Sequence, residues 1–256
     1  MEPIAFQLGK LTIRWYGLMA ACGFIAAILL MEFNRKFAKL TKDQSSTLLL
    51  QSLVLGIIGA RIFYCVQFHR YYADDWFKVF RIDQGGLVFY GGFILAFIGV
   101  VIYTLKNKLD TVRVLDVFAP AMAAAHGFGR IGCFLNGCCF GRATDAWWGI
   151  RPPSGSLLEF RAGALPLHPV QLLEAGENFL LCALYCYLLR KYPKRGLVMS
   201  LYLLIYGVLR FFNEMLRGDN ELYFHLTPAQ WIGILLTVGG TASLVYFLRK
   251  KDVEAA

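Results

Sequence analysis

Seven stretches of about 20 mostly apolar residues run through the sequence, and they restrict the fold more than any other feature. A helix needs about 20 such residues to cross the hydrocarbon core of a bilayer. Hydrophobic residues make up 57% of the chain and charged residues only 17%, which argues against disordered, disulfide-stabilised and soluble globular proteins. We therefore expect an all-α polytopic membrane protein with one domain over residues 1–256. The predicted spans are 12–32, 46–66, 86–105, 114–135, 169–189, 196–216 and 228–248.

The lysine and arginine residues predict the orientation of these spans, because they are enriched in cytoplasmic loops. The gaps after the first, third and fifth spans and the C-terminal tail together hold fourteen of them, whereas the opposite side holds nine. This asymmetry places the N-terminus outside and the C-terminus in the cytoplasm. The net charge of +9 is then explained by orientation and by anionic lipid headgroups, and we expect no nucleic-acid partner.

Three arginines lie inside predicted spans, where a charged side chain costs roughly 2.5–3.5 kcal/mol. Arg61, Arg130 and Arg210 each fall in the second half of a span that runs outward. Three further polar residues lie near the starts of the inward-running spans, at Tyr16, Tyr90 and His168. All six side chains are therefore expected in the outer half of the membrane, which favours a common site there.

Each of these residues also has a structural interpretation. An arginine near a helix end can extend to the lipid headgroups. Tyr16 follows Trp15, and such a pair is typical of an interfacial aromatic belt. Arg210 and Glu214 are four residues apart and can form an ion pair on one helix face. Position alone leaves the structural and functional interpretations open.

Residues 127–132 match the pattern G-x-G-x-x-G, which occurs in dinucleotide-binding proteins. The match lies late in an apolar helical stretch and not between a strand and a helix, so we expect no dinucleotide site. Glycines at this place permit a broken helix with exposed backbone N–H groups. Such groups beside Arg130 would suit a phosphate.

A cluster of cysteines follows the fourth span, at Cys133, Cys138 and Cys139. Its spacing is C-x4-C-C, and no C-x2-C pair follows it, so the sequence predicts no metal ion. An oxidising compartment could pair two of these thiols, although a disulfide between adjacent residues is strained. A membrane thiol-redox protein is therefore one alternative function. A transporter with an intramembrane charged site is another, but the two halves of the sequence show no repeat.

Six ordered motifs cover nearly the whole chain, at residues 14–19, 59–64, 85–92, 129–142, 168–174 and 206–217. Together they resemble the motifs of the bacterial prolipoprotein diacylglyceryl transferase family. The resemblance implies that the chain transfers a diacylglyceryl group from phosphatidylglycerol to the lipobox cysteine of a prolipoprotein signal peptide. The products would be a thioether and glycerol 1-phosphate, and no metal or organic cofactor is implied.

The resemblance also implies a location in the bacterial inner membrane, among membrane lipids. The active site would face the outer leaflet, in a cavity that opens sideways to lipid. The gap 136–168, which is rich in tryptophan and proline, would form an outer loop that covers this cavity.

The candidate site residues take their roles from the same resemblance. Arg130 corresponds to the arginine that binds the lipid phosphate. Arg210, oriented by Glu214, is the candidate for stabilising the departing phosphate. Tyr90 stands where the family often has histidine, so the identity of the catalytic base stays open. The other candidate substrate-binding residues are Tyr16, Arg61, Asn136, Gly141 and His168.

Overall fold

The computed structural model describes residues 3–9, 11–72, 76–81, 86–217 and 222–250. The regular secondary structure of the described residues is helical, apart from an N-terminal antiparallel hairpin of β1 (Ile4–Leu8) and β2 (Leu11–Arg14). The helices are α1 (Trp15–Asn34), α2 (Lys42–Gln67), α3 (Phe89–Lys106), α4 (Thr111–Leu135), α5 (Leu157–Ala162), α6 (Val170–Lys191), α7 (Leu197–Met215) and α8 (Pro228–Arg249).

Within the described residues, six helices are long and apolar enough to cross a membrane, namely α1, α2, α3, α6, α7 and α8. The expectation of a helical, polytopic membrane protein is therefore confirmed. The fourth predicted span, 114–135, is also helical, since it lies within the 25-residue helix α4. The composition of α4 is too polar for it to be counted with the other six helices.

The helices expose many large apolar side chains, as expected when lipid is the surrounding solvent. Leu180 on α6 is 74% exposed, Leu235 on α8 is 70% exposed and Val66 on α2 is 69% exposed. A water-soluble monomer rarely exposes contiguous apolar surface of this kind. The side chains therefore support the membrane class independently of helix length.

Local sequence signals explain where several helices begin. At the start of α2, the Thr41 side chain accepts a hydrogen bond from the Gln44 N–H, and the Gln44 side chain accepts one from the Thr41 N–H. Thr227 and Gln230 form the same reciprocal pair at the start of α8. Such capping boxes satisfy backbone donors that the first helical turn leaves free.

The chain divides into two compact units, Ala38–Val114 and Met1–Phe37 with Leu115–Ala256. In the smaller unit, α2 and α3 pack against each other through glycines. A Cβ atom at Gly92 would lie 2.6 Å from the Gly56 carbonyl oxygen, and one at Gly91 would lie 2.5 Å from the Gly59 carbonyl oxygen. Small residues allow membrane helices to approach this closely. The expectation of a single domain over residues 1–256 stays a prediction.

Replacing Gly59 by alanine is expected to destabilise the α2–α3 pair by about 1–3 kcal/mol, the usual cost of overpacking. The added Cβ would clash with the Gly91 carbonyl oxygen, which belongs to backbone and cannot rotate away. Gly56→Ala is the matched control on the same helix, because its Cβ would meet the nearest atom at 4.0 Å. Thermal unfolding in detergent should show a lower midpoint for Gly59→Ala alone, and equal midpoints would contradict the packing argument.

The core of the larger unit lies where α4 meets α6 and α7. Its fully buried members are Ala119, Ala123, Leu181, Tyr185, Leu189 and Val198. The two alanines on α4 leave room for the larger side chains of the other two helices. On the other side of α7, a Cβ atom at Gly207 would lie 2.7 Å from the Gly233 carbonyl oxygen, so α7 also approaches α8 closely.

Both ends of α7 are held by α4 or by the segment that follows α4. At the N-terminus, the Asp116 carboxylate accepts hydrogen bonds from the Gly196 N–H at 2.6 Å and the Met199 N–H at 2.8 Å. At the C-terminus, the Arg142 guanidinium donates to the carbonyl oxygens of Met215 and Arg217. An acidic group at a helix N-terminus and a basic group at its C-terminus both complement the helix dipole.

Candidate active site

A buried carboxylate, Glu174 on α6, connects arginines from two other helices. Its Oε2 atom lies 2.5 Å from Nε of Arg130 on α4, and its Oε1 atom lies 3.5 Å from Nη1 of Arg210 on α7. The Glu174 side chain is 3% exposed. A carboxylate this deeply buried is costly unless it is paired, and here each of its oxygens has an arginine partner.

The network continues along α7. The second carboxylate, Glu214, lies 2.8 Å from Nη2 of Arg210 and 3.9 Å from Nε of Arg217. Arg210 and Glu214 are four residues apart on one face of α7, and Arg217 follows two residues after the helix ends. We refer to Arg130, Glu174, Arg210, Glu214 and Arg217 as the charge network. Its three guanidinium groups and two carboxylates leave one net positive charge, with every side chain at most 13% exposed.

His126 extends this network on α4, one helical turn before Arg130. Its Nε2 atom accepts a hydrogen bond of 3.2 Å from the Arg130 Nε–H, so the ring proton is assigned to Nδ1. The imidazole also contacts the ring of Tyr206 edge-on, with centroids 5.4 Å apart. The imidazole thus helps to hold the Arg130 side chain in place.

A residual positive charge in a mostly buried site suits an anionic ligand. Arginine presents a planar fork of N–H donors that matches the oxygens of a phosphate. Arg130 and Arg210 approach the shared Glu174 from different helices, and the remaining donors of both guanidinium groups are suited to further acceptors. The arrangement can therefore hold an anion and stabilise negative charge that develops on it.

Sequence reasoning identified Arg130, Arg210 and Glu214, and the structure brings these three residues together in the charge network. It did not assign a role to Glu174 or to His126. The signal for Glu174 was nevertheless present, since a carboxylate in a predicted span needs a partner. The identity of that partner depends on how α4, α6 and α7 pack.

Gly141 and His168 lie next to each other in the loop between α4 and α6. The Gly141 N–H donates to the His168 carbonyl oxygen at 3.2 Å, and a Cβ at position 141 would lie 2.6 Å from His168 Cβ. The His168 Nδ1 atom accepts a hydrogen bond from the Trp148 indole at 3.1 Å, which leaves Nε2 as the protonated nitrogen. Gly141 also pairs with Arg217 through a β-bridge, so this loop is joined directly to one member of the charge network.

Tyr16 on α1 lies beside α4, and Asn136 directly follows α4 in the same unit. Tyr16 is in the first turn of α1, and a Cβ at Gly132 would lie 3.2 Å from its ring. Asn136 directly follows α4, and its side-chain amide donates to Cys138 Sγ at 3.6 Å. Half of the Tyr16 residue is exposed.

The remaining two candidates, Arg61 and Tyr90, belong to the smaller unit. The Arg61 guanidinium donates to three backbone carbonyl oxygens, those of Val79 at 2.7 Å, Gly86 at 3.0 Å and Arg81 at 3.2 Å. These bonds anchor the segment that precedes α3. Tyr90 is the second residue of α3, and half of its side chain is exposed.

Arg61 also lines an apolar cleft of about 580 Å³ in the same unit. The other lining residues are Ile57, Ile58, Ile62, Cys65, Val66, His69, Tyr72, Val79 and Phe80. Because Arg61 donates to the carbonyl oxygen of Val79, which also lines the cleft, it helps to shape one side of this cleft.

The three cysteines at the end of α4 are in contact with one another. The Sγ atoms of Cys133, Cys138 and Cys139 all lie within 4.8 Å of each other, and none of the three forms a disulfide. Hydrogen bonds from the Cys133 and Cys138 thiols lower the pKa of the Cys139 thiol, and the positive charges of Arg217 and Arg130 lower it further. Cys133 follows Arg130 by three residues on α4, so the cluster lies near one member of the charge network.

Comparison with known proteins assigns the chain to a family. The family model for prolipoprotein diacylglyceryl transferase matches residues 3–246. A phosphatidylglycerol–prolipoprotein diacylglyceryl transferase of Clostridium tetani is 35% identical, covering 94% of this chain and 95% of its own length. Proteins of the same name from Clostridium botulinum (strain Langeland) and Clostridium kluyveri (strain ATCC 8527) are 34% and 33% identical, each over at least 93% of both chains. The chain therefore belongs to the prolipoprotein diacylglyceryl transferase family.

Proposed function

We propose that the protein transfers the diacylglyceryl group of phosphatidylglycerol to the lipobox cysteine thiol of a prolipoprotein signal peptide. The cysteine sulfur forms a thioether bond to the glycerol carbon, and the bond between that carbon and the phosphate oxygen breaks. The electron pair of the broken bond leaves with glycerol 1-phosphate, and the thiol proton is lost. The names of the relatives support both substrates.

The charge network is the observation that carries this proposal. Arg130 binds the lipid phosphate, and its position is held by Glu174 and His126. Arg210 stabilises the negative charge that develops on the departing phosphate, and Glu214 orients its guanidinium group at 2.8 Å. A site with one net positive charge binds the phosphodiester and still favours the more negative phosphate monoester that leaves.

The other candidate residues are assigned supporting roles in the same reaction. Tyr16, Asn136, Gly141 and His168 position the substrates, and Arg61 contributes by anchoring the segment before α3. Tyr90 takes part in proton transfer or in orienting a substrate.

The proposed topology has seven spans, with α4 as the seventh spanning helix. The buried Asp116 of α4 accepts hydrogen bonds from the start of α7, and Ala119 and Ala123 pack in a core with residues of α6 and α7. These contacts support the assignment. The lysine and arginine distribution supports an outer N-terminus and a cytoplasmic C-terminus. The active site then lies toward the outer leaflet of the inner membrane, covered by the loop 136–168 and open sideways to lipid.

The decisive experiment is a transfer assay with purified protein in detergent and in liposomes. It combines phosphatidylglycerol with a lipobox peptide that carries one free cysteine, and it follows the peptide by mass spectrometry. We expect the mass of one diacylglyceryl group on the cysteine and an equal amount of glycerol 1-phosphate. A serine-substituted peptide is the control. Absence of transfer in both environments would overturn the proposal.

Replacing Tyr90 by phenylalanine is expected to lower the turnover number by about a hundredfold. This is the lower end of the range of about 10²–10⁴ that a proton-transferring side chain contributes to the rate. The substitution removes only a hydroxyl, so the α3 fold should persist. Tyr103→Phe, near the other end of α3, is the matched control and should leave turnover unchanged. Near-normal activity of Tyr90→Phe would remove this hydroxyl from the mechanism.

A further inference from the structure

The thiols of Cys133, Cys138 and Cys139 form a compact cluster that the transfer reaction does not use. All three Sγ atoms lie within 4.8 Å of one another, and all three side chains are half-buried. Three sulfurs that bind one metal ion at about 2.3 Å are separated from each other by roughly 3.8–4.0 Å. The thiols therefore need only a small movement to surround a single cation.

The backbone is folded in a way that brings the sulfurs together. Residues next to each other in an extended chain point in opposite directions, so adjacent cysteines do not normally share a ligand. Here the chain turns sharply after α4, with φ angles of +65° at Gly137 and +59° at Cys139. A positive φ costs a non-glycine residue about 1 kcal/mol or more, so the conformation of Cys139 is held by its surroundings.

Hydrogen bonds from neighbouring residues hold this turn. The Cys138 N–H donates to the Cys133 carbonyl oxygen at 3.1 Å, and the Gln171 side chain on α6 donates to the Cys138 carbonyl oxygen at 2.8 Å. The Asn136 amide donates to Cys138 Sγ at 3.6 Å, as an outer-shell group donates to a thiolate ligand. The cluster is therefore ordered before any ligand binds.

Two arginines lie close to the cluster, one along the chain and one across a β-bridge. Arg130 precedes Cys133 by one helical turn, and Arg217 pairs with Gly141 across a β-bridge. The thiolate is the form of cysteine that binds metals, so a metal site made of cysteines carries negative charge. Three thiolates and a singly or doubly charged cation make an anionic complex, and the net positive charge of the network offsets it.

We propose that Cys133, Cys138 and Cys139 form a three-thiolate site for a thiophilic d¹⁰ metal cation, of the zinc(II) or copper(I) class. Sulfur ligands select these ions over magnesium or calcium, which require oxygen ligands. Each bond forms as the cation replaces a thiol proton, so binding releases up to three protons and changes no oxidation state. Metal binding to these thiols does not require the transfer reaction, although Asn136 and the charge network are neighbours of both sites.

The test is a titration of the reduced, metal-free protein in detergent with Cd²⁺, which reports thiolate binding through its ultraviolet charge-transfer absorption. We expect saturation at one equivalent with release of protons. Zn²⁺ should compete for the same site. Cys133→Ser, Cys138→Ser and Cys139→Ser should each weaken binding by at least about a hundredfold, since removing even an outer-shell partner can have that effect.

Cys182→Ser and Cys186→Ser supply the matched controls, because these two thiols are near each other on α6. Both variants should keep the native affinity. The proposal is overturned if Cd²⁺ produces no charge-transfer absorption with the native protein. It is also overturned if Cd²⁺ binding survives in the Cys138→Ser protein or disappears in the two α6 variants. The proposal is also overturned if two cysteines of the cluster form a disulfide again in the protein that has been reduced. Only one thiol would then remain to bind the cation.

Discussion

Replacing Arg130 by alanine is expected to abolish diacylglyceryl transfer, with turnover reduced by at least about a thousandfold. Loss of one preorganised donor to a developing negative charge costs about 10²–10³ in rate, and Arg130 is also proposed to bind the lipid phosphate. The substitution leaves the Glu174 carboxylate, 2.5 Å away in the native protein, without its closest partner. The measurement is the initial rate of peptide lipidation at saturating phosphatidylglycerol.

Two further variants distinguish a catalytic loss from misfolding. Arg130→Lys keeps the positive charge beside Glu174 but lacks the planar fork of N–H donors. This variant should insert into the membrane and keep nearly the native unfolding midpoint, while its rate of transfer stays low. Arg190→Ala, at the exposed end of α6 where the guanidinium contacts Phe33, should keep native activity. Substantial transfer by Arg130→Ala would exclude this arginine from the reaction.

Removing the charge of Glu174 is expected to have the largest effect on stability. In Glu174→Gln, the neighbouring Arg130 and Arg210 guanidinium groups lose the carboxylate that lies between them. Breaking a buried ion pair by removing one partner typically costs about 3–5 kcal/mol. The unfolding midpoint in detergent should fall, and transfer should fall with it. Glu177→Gln is the control on the same helix, because Glu177 accepts from the Asn213 amide at 2.6 Å and not from an arginine.

A double variant separates the structural role of the ion pair from its role in transfer. Arg130→Met combined with Glu174→Met replaces both charges by apolar side chains of similar length. Because no unpaired charge is left between these two positions, stability should recover toward the native value while transfer remains absent. If the double variant were as unstable as Glu174→Gln, the ion pair would not explain the stability of this region.

The sequence was sufficient for most of the helices because each has its own local signal. The predicted span 228–248 differs from α8 by one residue, and the Thr227–Gln230 capping box with Pro228 explains why the start is so well defined. The span 12–32 begins three residues before α1, because Leu11–Arg14 pair with Ile4–Leu8 in a hairpin. That pairing was not predicted, since its short strands merge into the apolar segment that follows.

The candidate site was predicted only in part, for a different physical reason. Arg210 and Glu214 are four residues apart, so helix geometry alone predicts their pairing. The contact between Arg130 and Glu174 joins two helices, and sequence spacing carries no information about how those helices pack. The same limit applies to the cysteines, which meet because the backbone turns at Gly137 and Cys139.

The two contacts that hold α7 have a consequence for the order in which the chain assembles in the membrane. Asp116 is separated by 80 residues from Gly196, and Arg142 is separated by 75 residues from Arg217. During synthesis, α4 and the segment after it therefore leave the ribosome long before their partners on α7 exist. Until α7 follows, the Asp116 carboxylate lacks the two backbone N–H donors that α7 supplies. We expect the nascent α4 to stay beside the insertion machinery or at the membrane surface, and to reach its final depth only together with α7.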